Sequence, residues 1–341
     1  MILPNYRNSV YNVTHTVLKS FGISGPSLQE VGALDNDRIV LILIDALGMN
    51  LHHRCFSEFE AFTTLTSVFP STTAAAITTV FTGLSPKEHG ILEWYMYWEK
   101  YGDIIKTIPF SPKKSNETDE LERMGYSPEE LFALPTIFGI LNEKNITTMA
   151  HIREDYLNSM YSRFMLRETE KIGFRTLDKI PRLIRKDTED FIYVYIDDID
   201  IAQHRYGPSS AKVCKVAKKI KRILGEMKKA STSLIITADH GQTEIKKMKK
   251  LKVENCKIGG SPRDMFLYCE HIPDENFIDR RRILELLGPG EENVNLSHRV
   301  PERIILPEEN TGIWHEDFDV RGLHGGMTED EMLVPLIIFE R

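Results

Sequence analysis

Continuous apolar runs that end beside an acidic residue recur along the chain. The runs cover residues 38–44, 191–196 and 233–237, and the acids that follow them include Asp45, Asp200 and Asp239. An unbroken apolar run, as opposed to an alternating one, is typical of a strand that is buried on both faces of a parallel sheet. The pattern therefore predicts three buried strands that carry acids at their carboxyl ends.

Segments with helical spacing or helix-forming composition lie between these strands. We predict helices over 72–81, with Thr72 or Ser71 as the N-cap, over 136–144, and over 209–229. The first is rich in alanine and follows hydroxyl residues that can cap a helix, and the last is lysine-rich and amphipathic.

Two further strands complete the predicted sheet. They cover 147–150 and 332–339, and Pro335 predicts an edge position for the second because proline cannot donate a hydrogen bond to a neighbouring strand. Strands that alternate with helices indicate an α/β fold: a doubly wound, mostly parallel sheet flanked by helices.

Two regions depart from this alternation. Residues 245–322 open with lysines and mix a predicted strand over 264–269 with a predicted helix over 276–287. We interpret the chain as a single domain over 1–341 with a smaller α+β lobe inserted at 245–322. The aromatic and charged segment over 93–130 is expected to form a flap over a site.

Composition narrows the classes of partner. Among 341 residues, 43 are Lys or Arg and 50 are Asp or Glu, which gives a formal net charge of −7. Because binding to long nucleic acids and to anionic membranes depends on a basic surface, we expect neither partner. The apolar runs are too short to cross a bilayer, and the amino-terminal residues do not have the pattern of a signal peptide.

The four cysteines give a prediction about the cell compartment. They lie far apart and form no CxxC pair: Cys55, Cys214, Cys256 and Cys269. We therefore predict that they are thiols without a disulfide framework, in a protein of the reducing cytoplasm.

Histidines accompany the acids at the predicted strand ends. Asp200 and His204 are one helical turn apart, His240 directly follows Asp239, and His324 lies in a glycine-rich turn before the last strand. Carboxylate and imidazole are ordinary ligands of Zn²⁺ and similar cations. With Asp45 these residues make six ligands, which are too many for one tetrahedral ion but suit two ions that share a phosphate.

A run of hydroxyl residues forms a further candidate for chemistry. Ser71, Thr72 and Thr73 stand at the start of the predicted helix, where free backbone N–H groups and the helix dipole favour an anion. A threonine at this place becomes a nucleophile if a metal lowers the pKa of its hydroxyl. Taken alone, the run would be explained by helix capping.

Five segments together resemble a known family. They are LILIDALG, FPSTTAAAITTVFTGLSPKEHGI, IDDIDIAQHRYGP, ITADHGQTE and GLHGGMTEDEMLVPLI. They are similar, in the same order, to the alkaline phosphatase superfamily, and within it to the type I phosphodiesterase / nucleotide pyrophosphatase branch. The resemblance implies an alkaline phosphatase-like catalytic domain.

The resemblance also implies two divalent metal ions, with Zn²⁺ preferred and Mn²⁺ or Fe as alternatives. The residues that match the family's ligands form two sets: Asp45, Asp239 and His240, and Asp200, His204 and His324. The ion of the first set would also contact the nucleophile, which corresponds to Thr73, with Thr72 as the adjacent alternative. The implied reaction proceeds through a phospho-threonine intermediate.

One position departs from the family pattern. Ala76 stands where relatives carry an asparagine that helps to bind phosphate, so the backbone N–H groups of Thr73 and Ala74 are the expected phosphate contacts. We predict hydrolysis of phosphodiester or pyrophosphate bonds in a small phosphate ester or nucleotide. A phosphomonoesterase, phosphonate hydrolase or phosphomutase with the same site stays open, as does a non-catalytic metal-binding protein. The sequence leaves the oligomeric state open.

Overall fold

A seven-stranded sheet forms the centre of this computed structural model, which describes residues 1–28, 34, 37–230, 233–269, 276–292 and 296–340. In chain order its strands are β1 (Ile39–Ile44), β2 (Thr63–Thr66), β3 (Thr148–Arg153), β4 (Glu170–Phe174), β5 (Phe191–Ile196), β6 (Ser233–Thr237) and β7 (Leu333–Glu340). Their spatial order is β2-β7-β6-β1-β5-β3-β4. The five strands from β6 to β4 are parallel, whereas β7 is antiparallel to both of its neighbours.

Helices cover this sheet. The longer ones are α1 (Val10–Ser20), α2 (Thr73–Thr82), α3 (Asp198–Tyr206) and α4 (Ala211–Ala230). Shorter helices span Met49–Leu51, Pro86–His89, Glu120–Arg123, Glu129–Phe132, Ile137–Asn142, Met160–Met165, Ile180–Lys186, Arg280–Leu286, Leu296–Arg299 and Glu329–Met332. A π-helical turn spans His52–Phe56, and 3₁₀ turns span Glu154–Tyr156 and Leu177–Lys179. The predicted α/β fold, with a mostly parallel sheet flanked by helices, is confirmed; α1 lies in a segment for which the sequence pattern made no prediction.

The register of the central strands places the acids side by side. Ile44 of β1 is level with Ile196 of β5, and Leu43 is level with Thr237 of β6. Asp45 lies two positions beyond Leu43, and Asp239 lies two positions beyond Thr237. The two acids therefore leave the sheet at the same edge. In an open α/β sheet this edge, outside the carboxyl ends of the strands, is where ligands bind.

The predicted edge position of the last strand is wrong. β7 lies between β2 and β6, because its first half pairs with β2 and its second half pairs with β6. Pro335 is level with Thr64 of β2, in the half of β7 that pairs with β2. This half of β7 pairs with a neighbouring strand on one side, β2, so the sheet tolerates a residue that lacks an N–H there.

The region 245–322 contains mainly small antiparallel elements. A four-stranded sheet has the order Lys257–Ser261, Asp264–Tyr268, Arg303–Ile305 and Phe277–Asp279. Lys247–Lys250 pairs in parallel with Thr311–Trp314, and Thr243–Glu244 pairs with Gly322–Leu323. The predicted strand over 264–269 is present, whereas the predicted helix over 276–287 begins with a strand and becomes helical at Arg280.

A separate apolar cluster that includes Leu251, Met265 and Trp314 supports these elements from within. Residues 270–275 and 293–295 of the proposed insertion lie outside the described residues. Its status as a distinct lobe of a single domain stays a prediction.

The segment over 93–130 has its own small sheet of Tyr95–Trp98, Asp103–Lys106 and Ser111–Pro112. Trp98 is buried against Phe110 and Tyr126, so the aromatic residues of this segment are partly a packing core. Trp94 is 38% exposed, which leaves it free to face a ligand.

The prediction that the four cysteines are thiols is wrong for two of them. Cys256 and Cys269 are disulfide-bonded across the hairpin in which Lys257 is level with Tyr268. Their separation of 13 residues gives no sign of this contact until the hairpin register is known. Disulfides are typical of oxidising compartments, and the cytoplasmic location stays a prediction. In the part of the chain that the structure describes, no helix has the length and apolar character needed to cross a membrane.

Candidate metal and phosphate site

Asp45, Asp239 and His240 meet in a buried group at the ends of β1 and β6. The Nε2 atom of His240 lies 3.6 Å from Oδ1 of Asp45 and 3.3 Å from Oδ2 of Asp239. Both of these carboxylate oxygens are buried and have no hydrogen-bond partner. Buried polar atoms are normally satisfied, so two orphaned oxygens that face one imidazole nitrogen fit the ligand set of a cation.

Asp200, His204 and His324 form a second group beside the first. The Nε2 atoms of His204 and His324 lie 3.2 Å and 3.9 Å from Oδ1 of Asp200. The ring of His324 stacks on that of His240 with 3.8 Å between centroids, so the two groups share a wall. The second group is the more open one, because 30% of the His204 side chain is exposed.

The histidines of both groups have the same orientation. Each Nδ1–H donates to a backbone carbonyl oxygen, which leaves the Nε2 lone pair directed into the site: His204 to Gly322 (2.8 Å), His240 to Gly241 (3.0 Å) and His324 to Ser71 (3.1 Å). Metal-binding histidines commonly have their second ring nitrogen fixed in this way. The orientation therefore suits metal binding at these nitrogens.

The electrostatics of the first group also fit a bound cation. Burial, together with the carboxylates of Asp239 and Asp200, raises the pKa of Asp45 well above its usual range. Burial likewise raises the pKa of Asp239. The chain alone thus opposes the ionisation of these two acids, and a divalent ion would reverse that preference.

The second group differs in its charge balance. Burial would raise the pKa of Asp200, but the facing His204, together with His324 and His240, outweighs burial and lowers that pKa. In turn, burial would lower the pKa of His204, but the Asp200 carboxylate raises it. Burial and the neighbouring His240 lower the pKa of His324 well below its usual value, which favours its neutral form. A carboxylate and a neutral imidazole are the forms that bind metals, so these shifts favour binding at Asp200 and His324, whereas His204 would release a proton when an ion binds.

A strained turn positions Asp45. Ala46 has a φ of 60°, in the left-handed region that residues with a Cβ rarely adopt. Its N–H donates to Oδ1 of Asp239 (3.0 Å), and its carbonyl accepts from the side chain of Gln203 (2.8 Å). These bonds connect the end of β1 to the end of β6 and to α3, which carries Asp200 and His204.

Two residues of the site were not singled out from the sequence. The hydroxyl of Tyr195 donates to Oδ2 of Asp45, and the side-chain amide of Gln242 donates to Oδ1 of Asp200. Tyr195 is level with Leu43 in the β1–β5 pairing, so the register could have indicated it once the strand pairs were known.

We expect Tyr195→Phe to weaken metal binding. Without the tyrosine hydroxyl, the Asp45 carboxylate loses the hydrogen bond that orients it, and such losses typically cost about 10- to 100-fold in affinity. Calorimetric titration of the metal-free variant with Zn²⁺ measures this change in affinity. An affinity equal to that of the wild type would contradict the orienting role, and Tyr193→Phe, on the same strand, serves as the matched control.

Thr73 stands at the first position of α2, next to the first group. Its Oγ1 lies 3.0 Å from Nε2 of His240. Thr72 is the N-cap: its side chain accepts from the N–H of Ala75 (3.3 Å) and donates to the carbonyl of Leu92 (3.2 Å). Thr72 is thus engaged in capping, whereas the hydroxyl of Thr73 faces the candidate ligands.

Two cavities meet at Thr73. The larger, of about 680 Å³, has an aromatic wall that includes Phe81, Tyr161 and Tyr193. The smaller, of about 280 Å³, is lined by Ala74, Trp314 and His324. Thr73, Trp94 and Asp200 line both. Trp94 thus lies between the two cavities, and that its segment forms a flap over the site stays a prediction.

The sheet, with two acid-and-histidine groups at the carboxyl ends of its strands, defines an α/β protein that carries candidate metal ligands at one edge of its sheet. The chain belongs to the type I phosphodiesterase / nucleotide pyrophosphatase family, whose sequence profile matches residues 40–258. The resemblance stated from the sequence segments is confirmed.

Curated relatives are similar over part of the chain. Venom phosphodiesterase 2 and venom phosphodiesterase 1 of Crotalus adamanteus are each 26% identical over 197 residues. These matches cover 52% of this chain but 22% and 21% of the relatives, so the chain spans less than a quarter of their length.

Solved structures share the fold over most of the chain. Murine ectonucleotide pyrophosphatase / phosphodiesterase 5 aligns with a TM-score of 0.68 at 15% identity, over 89% of this chain and 88% of its own. An inactive variant of it in complex with AMP aligns with a TM-score of 0.64. Phosphonoacetate hydrolase from Sinorhizobium meliloti 1021, in complex with phosphonoformate, has a TM-score of 0.63 at 15% identity, over 88% of this chain and 89% of its own.

Proposed function

We propose that this protein is a two-metal hydrolase that cleaves phosphodiester or pyrophosphate bonds of small substrates through a covalent intermediate on Thr73. One observation carries the proposal: the Thr73 hydroxyl is 3.0 Å from Nε2 of His240, where the two candidate ligand groups meet. When bound, two divalent ions, with Zn²⁺ the first choice, would stabilise charge on the attacking and leaving oxygens.

The residues of the chain have separate roles in this reaction. Asp45, Asp239 and His240 would hold the ion next to Thr73, and Asp200, His204 and His324 would hold the other. Oγ1 of Thr73 releases its proton to solvent and forms a bond to phosphorus while the bond to the leaving oxygen breaks, and the leaving oxygen takes up a proton from solvent. Water then attacks the same phosphorus, and the bond from phosphorus to Oγ1 breaks. One proton of this water restores the threonine hydroxyl, and the phosphate product leaves.

The first turn of α2 is suited to hold the phosphate during both steps. N–H groups in the first turn of a helix have no partner within the helix, and Thr72 already binds that of Ala75. The N–H groups of Thr73 and Ala74 are therefore the donors that we assign to a phosphate oxygen. They replace the asparagine contact that Ala76 cannot make.

The two cavities favour a diester over a monoester. A diester has two organic substituents on phosphorus, and two cavities extend from Thr73 to take one each. Neither Lys nor Arg occurs among the described residues that line them. The positive charge of two divalent ions exceeds the negative charge of the three ligand carboxylates by one unit. This excess matches the single negative charge of a diester better than the double negative charge of a monoester.

The aromatic wall of the larger cavity suits a flat apolar substituent. A base or an aryl group can pack on such rings, and stacking of this kind contributes about 1–3 kcal/mol per base. A nucleoside phosphodiester or a dinucleoside pyrophosphate is therefore the substrate class that we propose. The acidic net charge still argues against long nucleic acids.

We expect a preference for diesters in direct assays. With Zn²⁺ or Mn²⁺ present, kcat/KM for bis(p-nitrophenyl) phosphate should exceed that for p-nitrophenyl phosphate by at least about tenfold, or about 1.4 kcal/mol of transition-state binding. Faster turnover of the monoester would indicate a phosphomonoesterase. If neither ester reacts, release of phosphate from phosphonates should be measured next, and inactivity with every metal would favour a non-catalytic metal-binding protein.

A further inference from the structure

Two thiols far apart in the sequence lie together on one side of the sheet. Cys55 belongs to the π-helical turn His52–Phe56, and Cys214 lies in the first turn of α4. Their Sγ atoms are 2.9 Å apart, and both residues are partly exposed. A bond of about 2.05 Å between the sulfurs needs only a small adjustment of the side chains.

The two thiols differ in reactivity. The hydrogen bond from Cys55, together with the nearby Arg54 guanidinium, lowers the pKa of Cys214. Burial and the same contact raise the pKa of Cys55. Cys214 is thus the better thiolate, and Cys55 is held beside it as a resolving thiol.

The pair connects the two segments that carry the candidate ligands. The π-helical turn follows β1 and its acid Asp45, with the short helix Met49–Leu51 between them. Helix α4 follows α3, which carries Asp200 and His204 and packs against α4. A covalent bond between Cys55 and Cys214 would close a loop over 159 positions and fix these segments to each other.

We propose that Cys55 and Cys214 form a reversible disulfide, in addition to the bond between Cys256 and Cys269. The oxidant is a small disulfide such as oxidised glutathione. The Cys214 thiolate attacks one sulfur of glutathione disulfide, forms a mixed disulfide and releases one glutathione thiolate. Cys55 then loses its proton, attacks the Cys214 sulfur and releases the second glutathione, so that two electrons pass from the two thiols to the oxidant.

The cross-link should be visible in mass and in stability. After treatment of the full-length protein with oxidised glutathione, non-reducing peptide mass spectrometry should find the peptides of Cys55 and Cys214 joined, with loss of two hydrogens. Closure of a long loop should raise Tm by about 4–8 °C. Cys55→Ser and Cys214→Ser should each abolish this increase.

A matched control separates this pair from the existing disulfide. The double variant Cys256→Ser/Cys269→Ser should keep the increase in Tm caused by oxidised glutathione. Recovery of both thiols as free, alkylatable cysteines after the treatment would overturn the proposal, as would a glutathione adduct on Cys214 that Cys55 does not displace. The measurements need no substrate, so their outcome is independent of the proposed hydrolase activity.

Discussion

Replacement of Thr73 by alanine should reduce turnover of diesters by about 10⁴-fold or more while the metal content stays unchanged. The reason is geometric. The Thr73 hydroxyl faces Nε2 of His240, whereas the hydroxyls of Ser71 and Thr72 donate to backbone carbonyls. Steady-state kinetics with bis(p-nitrophenyl) phosphate, combined with metal analysis by mass spectrometry, measures both quantities. Thr73→Ser keeps a hydroxyl at the same place and should retain part of the activity.

Thr72→Ala is the matched control for that experiment. Thr72 caps α2 through the N–H of Ala75, so its loss should cost about 1 kcal/mol of stability and leave kcat within a few-fold of the wild type. If Thr72→Ala is inactive and Thr73→Ala is active, the adjacent threonine is the nucleophile. If both variants are active, water attacks the substrate directly.

Asp45→Asn should have opposite effects on activity and on the stability of the metal-free protein. The loss of a ligand carboxylate should lower kcat/KM by about 10³-fold. Without metal, however, the variant should unfold at a higher temperature than the wild type at neutral pH. Burial raises the pKa of Asp45, so its ionised form is unfavourable in the fold, and asparagine removes that charge.

The pH dependence gives the sign of this effect. In the unfolded chain an aspartate ionises at about pH 4. Because the pKa of Asp45 is higher in the folded state, the folded protein holds a proton that the unfolded chain has released, and the stability of the metal-free wild type falls as pH rises from about 4 through the raised pKa. The advantage of Asp45→Asn should therefore grow with pH over this range and vanish below it.

Addition of metal should reverse the order of stability. At a Zn²⁺ concentration of about 1,000 times Kd the wild type gains about 4 kcal/mol, whereas the variant gains much less. Thermal melts with chelator and with Zn²⁺ at several pH values measure both effects. Asp178→Asn, which removes an exposed acid that pairs with Arg222, should change neither. A metal-free Asp45→Asn protein that is less stable than wild type at neutral pH would show that Asp45 has a structural role.

The strands and the family could be predicted from the sequence because their signals are local. Each buried strand is a continuous apolar run, and the structure places them at Ile39–Ile44, Phe191–Ile196 and Ser233–Thr237. The candidate ligands could be named for the same reason, since each stands beside a strand end or in a glycine-rich turn. Their division into two sets came from the family resemblance, and the structure brings the same residues together in two groups.

Other features depend on contacts between distant segments. The bond from Tyr195 to Asp45 needs the β1–β5 register, and the disulfide between Cys256 and Cys269 needs the register of a hairpin. The edge position predicted from Pro335 was wrong because a sequence pattern cannot show that one strand changes partner along its length. Each of these features is fixed by tertiary pairing, which the local sequence does not contain.

Rapid acid quench followed by peptide mass spectrometry tests the proposed mechanism most directly. The p-nitrophenyl ester of a nucleoside 5′-monophosphate, mixed with the metal-loaded enzyme and quenched within the first turnover, should leave the nucleotidyl group on the peptide that contains Thr73. Fragmentation should assign the added mass to Thr73, and Thr73→Ala should lack it. An adduct on another residue, or turnover in the first cycle without any adduct, would contradict a covalent threonine intermediate.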